Sequence, residues 1–335
     1  MSRVAAAHSP VEPHTTRRSE RGAAWTRRDS LAAYVETTKP GITKLVTITS
    51  MVGLGMALGQ RWIAGDVALG GWSLAVLVVG AIVGTALSAS GANALNQWAE
   101  RDRDALMPRT AKRPLPSGTL APARVLAFAM ALVVLGLAVL WLTSGVAAMT
   151  VSAACVLVYL LLYTPLKTQT WTATLVGAIP GALPPLIGWC AGYRDAGFSA
   201  ILLPGGVSLF MLMFIWQLPH FLAIAWMYRD DYALGGHAVL PVIDRSGRKT
   251  SIVIAAFTVL LIPATIAPVV AMPALLGPVT LFTAAVSGLL FAGLVAKLLR
   301  TQERGDARRV FFASIIHLPL LLVVMVLDGL VRTLF

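Results

Sequence analysis

Asn96, Glu100 and Asp104 stand at i, i+4 and i+8 in the run Asn96-Gln-Trp-Ala-Glu100-Arg-Asp102-Arg-Asp104. On a continuing helix each step of four residues turns the side chain by about 40°, so the three share one stripe and Asp102 points largely away. Carboxylates at that spacing repel each other, and more so in a low dielectric. A shared divalent cation removes the penalty. Oxygen-only ligands suit a hard ion, and Mg²⁺ typically takes one or two carboxylates while substrate phosphates complete its shell. The plainer reading is a solvated helix end neutralised by Arg101, Arg103 and Arg109. The residues that follow favour the first reading. Met107-Pro-Arg109-Thr-Ala-Lys112-Arg113-Pro114-Leu-Pro116-Ser-Gly118 sets Arg109, Lys112 and Arg113 in a proline-stiffened loop beside the acids. Acids to hold a metal next to cations to hold an anion are what a diphosphate requires. No Walker loop or dinucleotide Gly-x-Gly-x-x-Gly accompanies them, so nucleotide binding has no support.

A second cluster, Tyr228-Arg229-Asp230-Asp231-Tyr232 followed by Gly235, Gly236 and His237, gives Asp231, with Asp230, Tyr228 and Tyr232, as further candidates for the same site. Lys167, in Tyr163-Thr-Pro-Leu-Lys167, is one more cation at a segment end. Asp244 carries little weight. His220 lies inside an apolar segment, where a polar group is functional by default; it suits either a ligand contact or a hydrogen bond between helices. The same choice applies to His317. His237 reads as a solvated loop histidine near the site. Trp98, Trp216 and Trp226 read as interfacial or packing aromatics.

Those residues need elements to hold them, and the composition says which kind. Of 335 residues, 57% are hydrophobic and 13% charged, about half the charged share of a soluble domain, with mean hydropathy +0.77. Cys155 and Cys190 each lie in an apolar run, which excludes a disulfide framework and a thiolate metal cluster. Nine apolar segments reach spanning length: 43–60, 73–97, 122–143, 146–163, 171–192, 202–226, 251–271, 274–298 and 310–331. The expected fold is therefore an all-α membrane protein of nine transmembrane helices. Residues 1–35 form a basic tail expected to be disordered, compatible with a transit peptide but not with a signal peptide, and 36–335 form one membrane domain. Gly80, Gly84, Ser88, Ser90 and Gly91 would let the second helix approach its neighbours. Pro180, Pro184 and Pro185 fall inside the fifth segment, where neighbouring helices must satisfy the freed carbonyls.

With nine spans, one side receives every Lys and Arg of the 27 except Arg61, Arg194 and Arg332. By the positive-inside rule that side, with the amino terminus and the acids, is cytoplasmic. The rule accounts for the net charge of +12 without nucleic acid, since no aromatic–basic recognition module is present.

Asn-x3-acid-x3-Asp at the end of a second membrane helix resembles the first aspartate-rich motif of the UbiA superfamily of intramembrane prenyltransferases. The run Asn96–Gly118, Tyr163–Lys167, Pro180–Trp189, Trp216-Gln217-Leu-Pro219-His220-Phe221, and Tyr228–Tyr232 with Leu240-Pro241-Val242 resemble, in the same order, the heme-modifying branch of that superfamily. The resemblance covers approximately residues 36–330. It implies a UbiA-type bundle that transfers the farnesyl group of farnesyl diphosphate to a vinyl group of heme b, giving heme O. Mg²⁺ would be held by Asn96, Glu100, Asp104 and Asp231, and the leaving diphosphate by Arg109, Lys112, Arg113 and Lys167. Tyr163, Tyr228, Asp230, Tyr232 and His220 would contact substrate, His220 through the heme iron or a propionate. A bacterial inner membrane and a downstream heme A synthase as partner belong to the same implication.

Three features depart from the superfamily pattern: Glu100 in place of Asp, Thr168 and Gln169 where relatives show arginines, and no full Asp-x3-Asp in the second cluster. Two alternatives compete. One is a UbiA-type enzyme acting on an aromatic quinone precursor. The other is a transporter, which would need midplane charges and two related halves, neither visible in the sequence.

Overall fold

The computed structural model describes residues 27–66 and 70–335. Among these residues nine helices are long and apolar enough to cross a membrane. A short α1 (Arg27–Thr37) leads into α2 (Pro40–Ile63), α3 (Gly71–Asp104), α4 (Pro122–Ser144) and α5 (Val146–Leu157). A π-helical turn at Val158–Tyr163 joins α5 to the brief α6 (Thr164–Leu166), and together they make the fourth span. Then come α7 (Ala173–Gly192), a 3₁₀ segment Arg194–Leu202, α8 (Pro204–Met227), the short α9 (Arg229–Leu234) and α10 (Leu240–Ile243), and finally α11 (Arg248–Ala271), α12 (Pro278–Thr301) and α13 (Arg304–Leu334).

The nine expected segments all form helices, and α3 and α13 run past their expected ends. At 34 residues α3 extends about 51 Å, well beyond a ~30 Å hydrocarbon core. The overhang keeps the acid stripe helical outside the apolar zone. Order also begins earlier than residue 36. α1 buries Ala33 with Leu115, Leu120 and Val125, and Tyr34 meets Phe128 edge to face at 5.0 Å. These apolar contacts tie Ala33 and Tyr34 to the domain, within the tail expected to be disordered; residues 1–26 lie outside the described residues.

Small residues draw α3 onto α4 as expected. A side chain at Gly84 would meet Leu140 at 2.7 Å, and one at Gly136 would meet the Ser88 backbone nitrogen at 2.5 Å. The most enclosed span is α7, with 72% of its apolar window buried among its neighbours α2, α5 and α8. Its internal prolines leave carbonyls without helical donors. Pro184 frees the carbonyl of Pro180, which accepts the Cys155 thiol at 3.3 Å.

The ends of the bundle differ. Arg61, Arg194 and Arg332 have structural partners: Asp66 and Asp195 for Arg61, Thr143 O for Arg194, and Asp328 for Arg332. The opposite end gathers the α1–α2 turn, the end of α3, the 105–121 loop, α6 and α9–α10 around a cavity.

Candidate active site

The helical overhang of α3 builds one wall of this cavity. Asn96, Glu100 and Asp104 line it together, each buried, while Asp102 turns away and is largely exposed. Each member of the stripe meets a cation from a different element. Lys39 Nζ donates to Asn96 Oδ1 at 2.8 Å. Lys167 pairs with Glu100, and Arg113 Nη1 donates to Asp104 Oδ2 at 2.7 Å.

Lys39 was not visible as a site residue in the sequence. It sits at a left-handed backbone position (φ 48°) between the end of α1 and Pro40, a conformation that costs a non-glycine residue about 1–3 kcal/mol. The turn is held from α3, where Gln97 Nε2 donates to the carbonyls of Glu36 and Thr37 and Asn93 Nδ2 donates to Thr43 Oγ1. Burial, followed by the nearby Arg113 charge, pushes the Lys39 ammonium down to about 8, partly offset by Glu100. The one available signal was the Lys39-Pro40-Gly41 turn itself.

The π turn places the aromatic wall. Pro165 cannot donate to a helical carbonyl, and the chain widens so that Thr164 donates its backbone N–H to Tyr159 O. Tyr159 and Tyr163 then stack with centroids 5.7 Å apart, and Lys167 Nζ lies 5.5 Å from the Tyr163 centroid. The π segment thus aims two phenol rings and a cation at one cavity, which period-3.6 reasoning does not foresee.

On the remaining side Tyr232 and His237 enter the wall. His237 is 6% exposed with its Nδ1 unpartnered, so it is a buried site residue and not a solvated one. Burial pushes its pKa down to about 4. The next residue ties the loop across the cavity, Ala238 N donating to Lys167 O at 2.9 Å.

Of the sequence candidates, Asn96, Glu100, Asp104, Arg109, Arg113, Tyr163, Lys167 and Tyr232 share this cavity, and five do not. Lys112 and Tyr228 are exposed. Asp230 pairs with Arg229 and Arg304. Asp231 precedes Tyr232 by one residue, a turn of about 100° on α9, and with Tyr232 in the wall Asp231 is left out of it. His220 bonds Ser314 instead, and His317 lies buried against Phe291 with both nitrogens unpartnered.

The donor set fits a hard cation. Three buried oxygen-bearing side chains share a face, two of them carboxylates. No group of three His, Cys, Asp or Glu converges among the described residues, so two carboxylates and an amide match the partial ligation typical of Mg²⁺ more than a closed cage. At about 150 Å³ the cavity falls below the usual ligand-pocket range of about 300–1,000 Å³, the size for a charged head group without a long chain.

A membrane bundle that gathers buried carboxylates and four cations around one cavity at its polar end, beside aromatic rings, has the layout of an intramembrane enzyme. Residues 46–316 match the UbiA prenyltransferase family, and the chain belongs to it. It is a prenyltransferase. The protoheme IX farnesyltransferase of Solibacter usitatus (strain Ellin6076) is 41% identical over 304 residues, spanning 88% of this chain and 98% of that protein. That of Koribacter versatilis (strain Ellin345) is 35% identical over 310 residues, 89% of this chain and 93% of its own. Among solved structures, a digeranylgeranylglyceryl phosphate synthase superposes with TM-score 0.72 at 17% identity, covering 90% of this chain and 99% of that one. A UbiA homolog from Archaeoglobus fulgidus bound to GPP and Mg²⁺ gives TM-score 0.54 at 12% identity, with 88% and 99% covered. At such identities these two show the shared fold.

Proposed function

We propose that the protein transfers the farnesyl group of farnesyl diphosphate to a vinyl group of heme b, making heme O. The observation that carries this is the cavity itself, where Lys39, Arg109, Arg113 and Lys167 converge on a buried oxygen stripe, in a chain whose full-length relatives are named for this reaction. The bond from farnesyl C1 to the diphosphate oxygen breaks, and its electron pair leaves with the diphosphate. The four cations stabilise that charge in a dry site. Lys39, Arg113 and Lys167 already pair with the stripe and Arg109 lines the same cavity, so binding the anion requires a short exchange of partners. Asn96, Glu100 and Asp104 would hold Mg²⁺, which when bound supplies Lewis-acid neutralisation of the diphosphate. Tyr159 and Tyr163 offer ring faces to the allylic cation. Met107, Val239 and Ala173 exclude water until the vinyl carbon attacks. A water oxygen then joins the vinyl-derived cation and releases a proton, so the heme gains a farnesyl group and a hydroxyl.

The charge distribution supports an orientation with this cavity on the cytoplasmic face; the proposed location is a bacterial inner membrane, and a heme A synthase is the partner that would take the product. The test is a competition: proteoliposomes with Mg²⁺ and farnesyl diphosphate receive heme b and 4-hydroxybenzoate together. Prenylated heme alone supports the reading, and prenylated benzoate alone replaces it with a quinone-type one.

A further inference from the structure

Of the described histidines only His237 lines the cavity, and the local sequence builds its position. Gly235 ends α9, its N–H donating to Asp231 O at 3.1 Å, and Gly236 follows at φ 67°, a left-handed turn that favours glycine. A side chain at 235 would meet Met107 Sδ at 2.6 Å and the His237 ring at 3.1 Å, so this glycine leaves the ring its place. The backbone is then pinned on both sides of the ring. His237 N donates to Tyr232 O at 2.9 Å, and Ala238 N donates to Lys167 O at 2.9 Å. The ring itself rests edge to face on Tyr232, with centroids 5.5 Å apart.

The two ring nitrogens differ. Nδ1 is enclosed without a partner, while Nε2 makes no hydrogen bond among the described residues and is not enclosed. With only 6% of the residue exposed and its side chain in the wall, the space that Nε2 meets is the cavity. A neutral imidazole carries one N–H and one lone pair. Burial, followed by the Lys167 charge, keeps this one neutral near pH 7 by pushing it down to about 4. An enclosed N–H without an acceptor is the costlier orphan, so the lone pair stays on Nδ1 and the proton goes to Nε2. The cavity therefore receives one more donor. Its acceptors on α3 are already engaged, Asn96 by Lys39, Glu100 by Lys167 and Asp104 by Arg113. A donor added to that set calls for an acceptor from outside the chain, and four cations beside it make that acceptor an anion.

We propose that His237 is a ligand of the leaving diphosphate, its Nε2–H donating to a phosphate oxygen and fixing the anion's position while the four cations supply charge. This rests on the proposed diphosphate substrate and adds a residue to its seat. Lysine and arginine side chains are long and can follow the anion as partners exchange. His237 cannot, because a glycine turn and two backbone bonds hold it, so it donates in one direction. Charge on the diphosphate grows as the C1–O bond breaks, and a fixed donor gains most at that point, which places its effect in kcat more than in KM.

The experiment uses the full-length protein in nanodiscs with Mg²⁺ and inorganic diphosphate, followed by calorimetry. His237→Phe keeps an aromatic ring beside Tyr232 but has no donor. It should bind diphosphate about 10–100-fold more weakly than wild type, the range for a hydrogen bond to a charged group. His237→Asn restores an N–H and should recover part of the loss, which a merely space-filling role would not allow. With farnesyl diphosphate and heme b, His237→Phe should lower kcat more than it raises KM. Infrared difference spectra of wild type carrying ring-labelled histidine should show an imidazole band shifted by diphosphate, a measurement that needs no variant to fold. If wild type binds diphosphate with no shifted histidine band, or His237→Phe binds it as tightly as wild type, the role of His237 falls and the cavity's does not. If wild type binds no diphosphate, the diphosphate reading of the cavity falls with it.

Discussion

Each acid on the α3 stripe is neutralised by a cation that the reaction needs elsewhere, so the two sets of residues act as one unit. Glu100→Gln and Asp104→Asn are expected to lower turnover by about 10²–10³-fold while retaining the folded membrane form, checked by steady-state product formation and size-exclusion profile. Lys39→Met should cost about 10–100-fold, with Lys39→Arg recovering part of it, because the position supplies a charge from a fixed left-handed turn. Equal activity of Lys39→Met and wild type would remove this lysine from the site. His237 gives a pH signature. Its folded value of about 4 lies below the ordinary 6.5, so the unfolded chain takes up the proton first as pH falls. Stability held above pH 6.5 is then lost toward pH 4, by up to about 1.4 kcal/mol per pH unit. Melting in detergent should show this acid-side loss, and His237→Gln should flatten it. The acid stripe was legible in the sequence because four-residue spacing fixes a helix face. Lys39 and His237 were not, because their roles depend on turns that only the packed chain defines.

The elements matter through their irregularities. The π turn before Pro165 carries Tyr159 and Tyr163 to the cavity, and Gly177 is the residue that leaves room for the Tyr163 ring, with a substituent there meeting it at 2.6 Å. Gly177→Val should push the ring aside and reduce turnover more than it raises KM, measured with farnesyl diphosphate varied at saturating acceptor. The prolines of α7 behave as the sequence suggested, since Cys155 takes up the carbonyl freed by Pro184. Hydrogen bonds between membrane helices average only about 0.6 kcal/mol, so Cys155→Ala should lower thermal stability slightly and leave activity intact. Hydropathy located the nine helices well because a spanning length is set by the bilayer. It missed the continuation of α3 through the acids and the start of α1 at Arg27, since both depend on contacts outside the lipid zone. Asp231 was a reasonable candidate by composition, but the phase of α9 presents Tyr232 in its place.

On the scale of the whole molecule, polar chemistry is confined to one end and the arginines at the other end are all spent on structural partners. By the positive-inside rule, the proposed orientation puts the active end on the cytoplasmic side. In inside-out vesicles of a cysteine-free background, a cysteine at Thr119 should therefore react with a membrane-impermeant maleimide while one at Asp195 is protected, and the reverse result would invert the topology. The central claim is that a charged cavity at the end of a lipid-facing bundle ionises a prenyl diphosphate and passes the cation to a heme vinyl. Its most direct test is the mass of the product. Purified protein in lipid with Mg²⁺, farnesyl diphosphate and heme b should yield a heme enlarged by one farnesyl group and one hydroxyl, absent when Asp104→Ala replaces the wild type. Unmodified heme from folded wild-type protein, or the same product from the Asp104→Ala variant, would contradict the account.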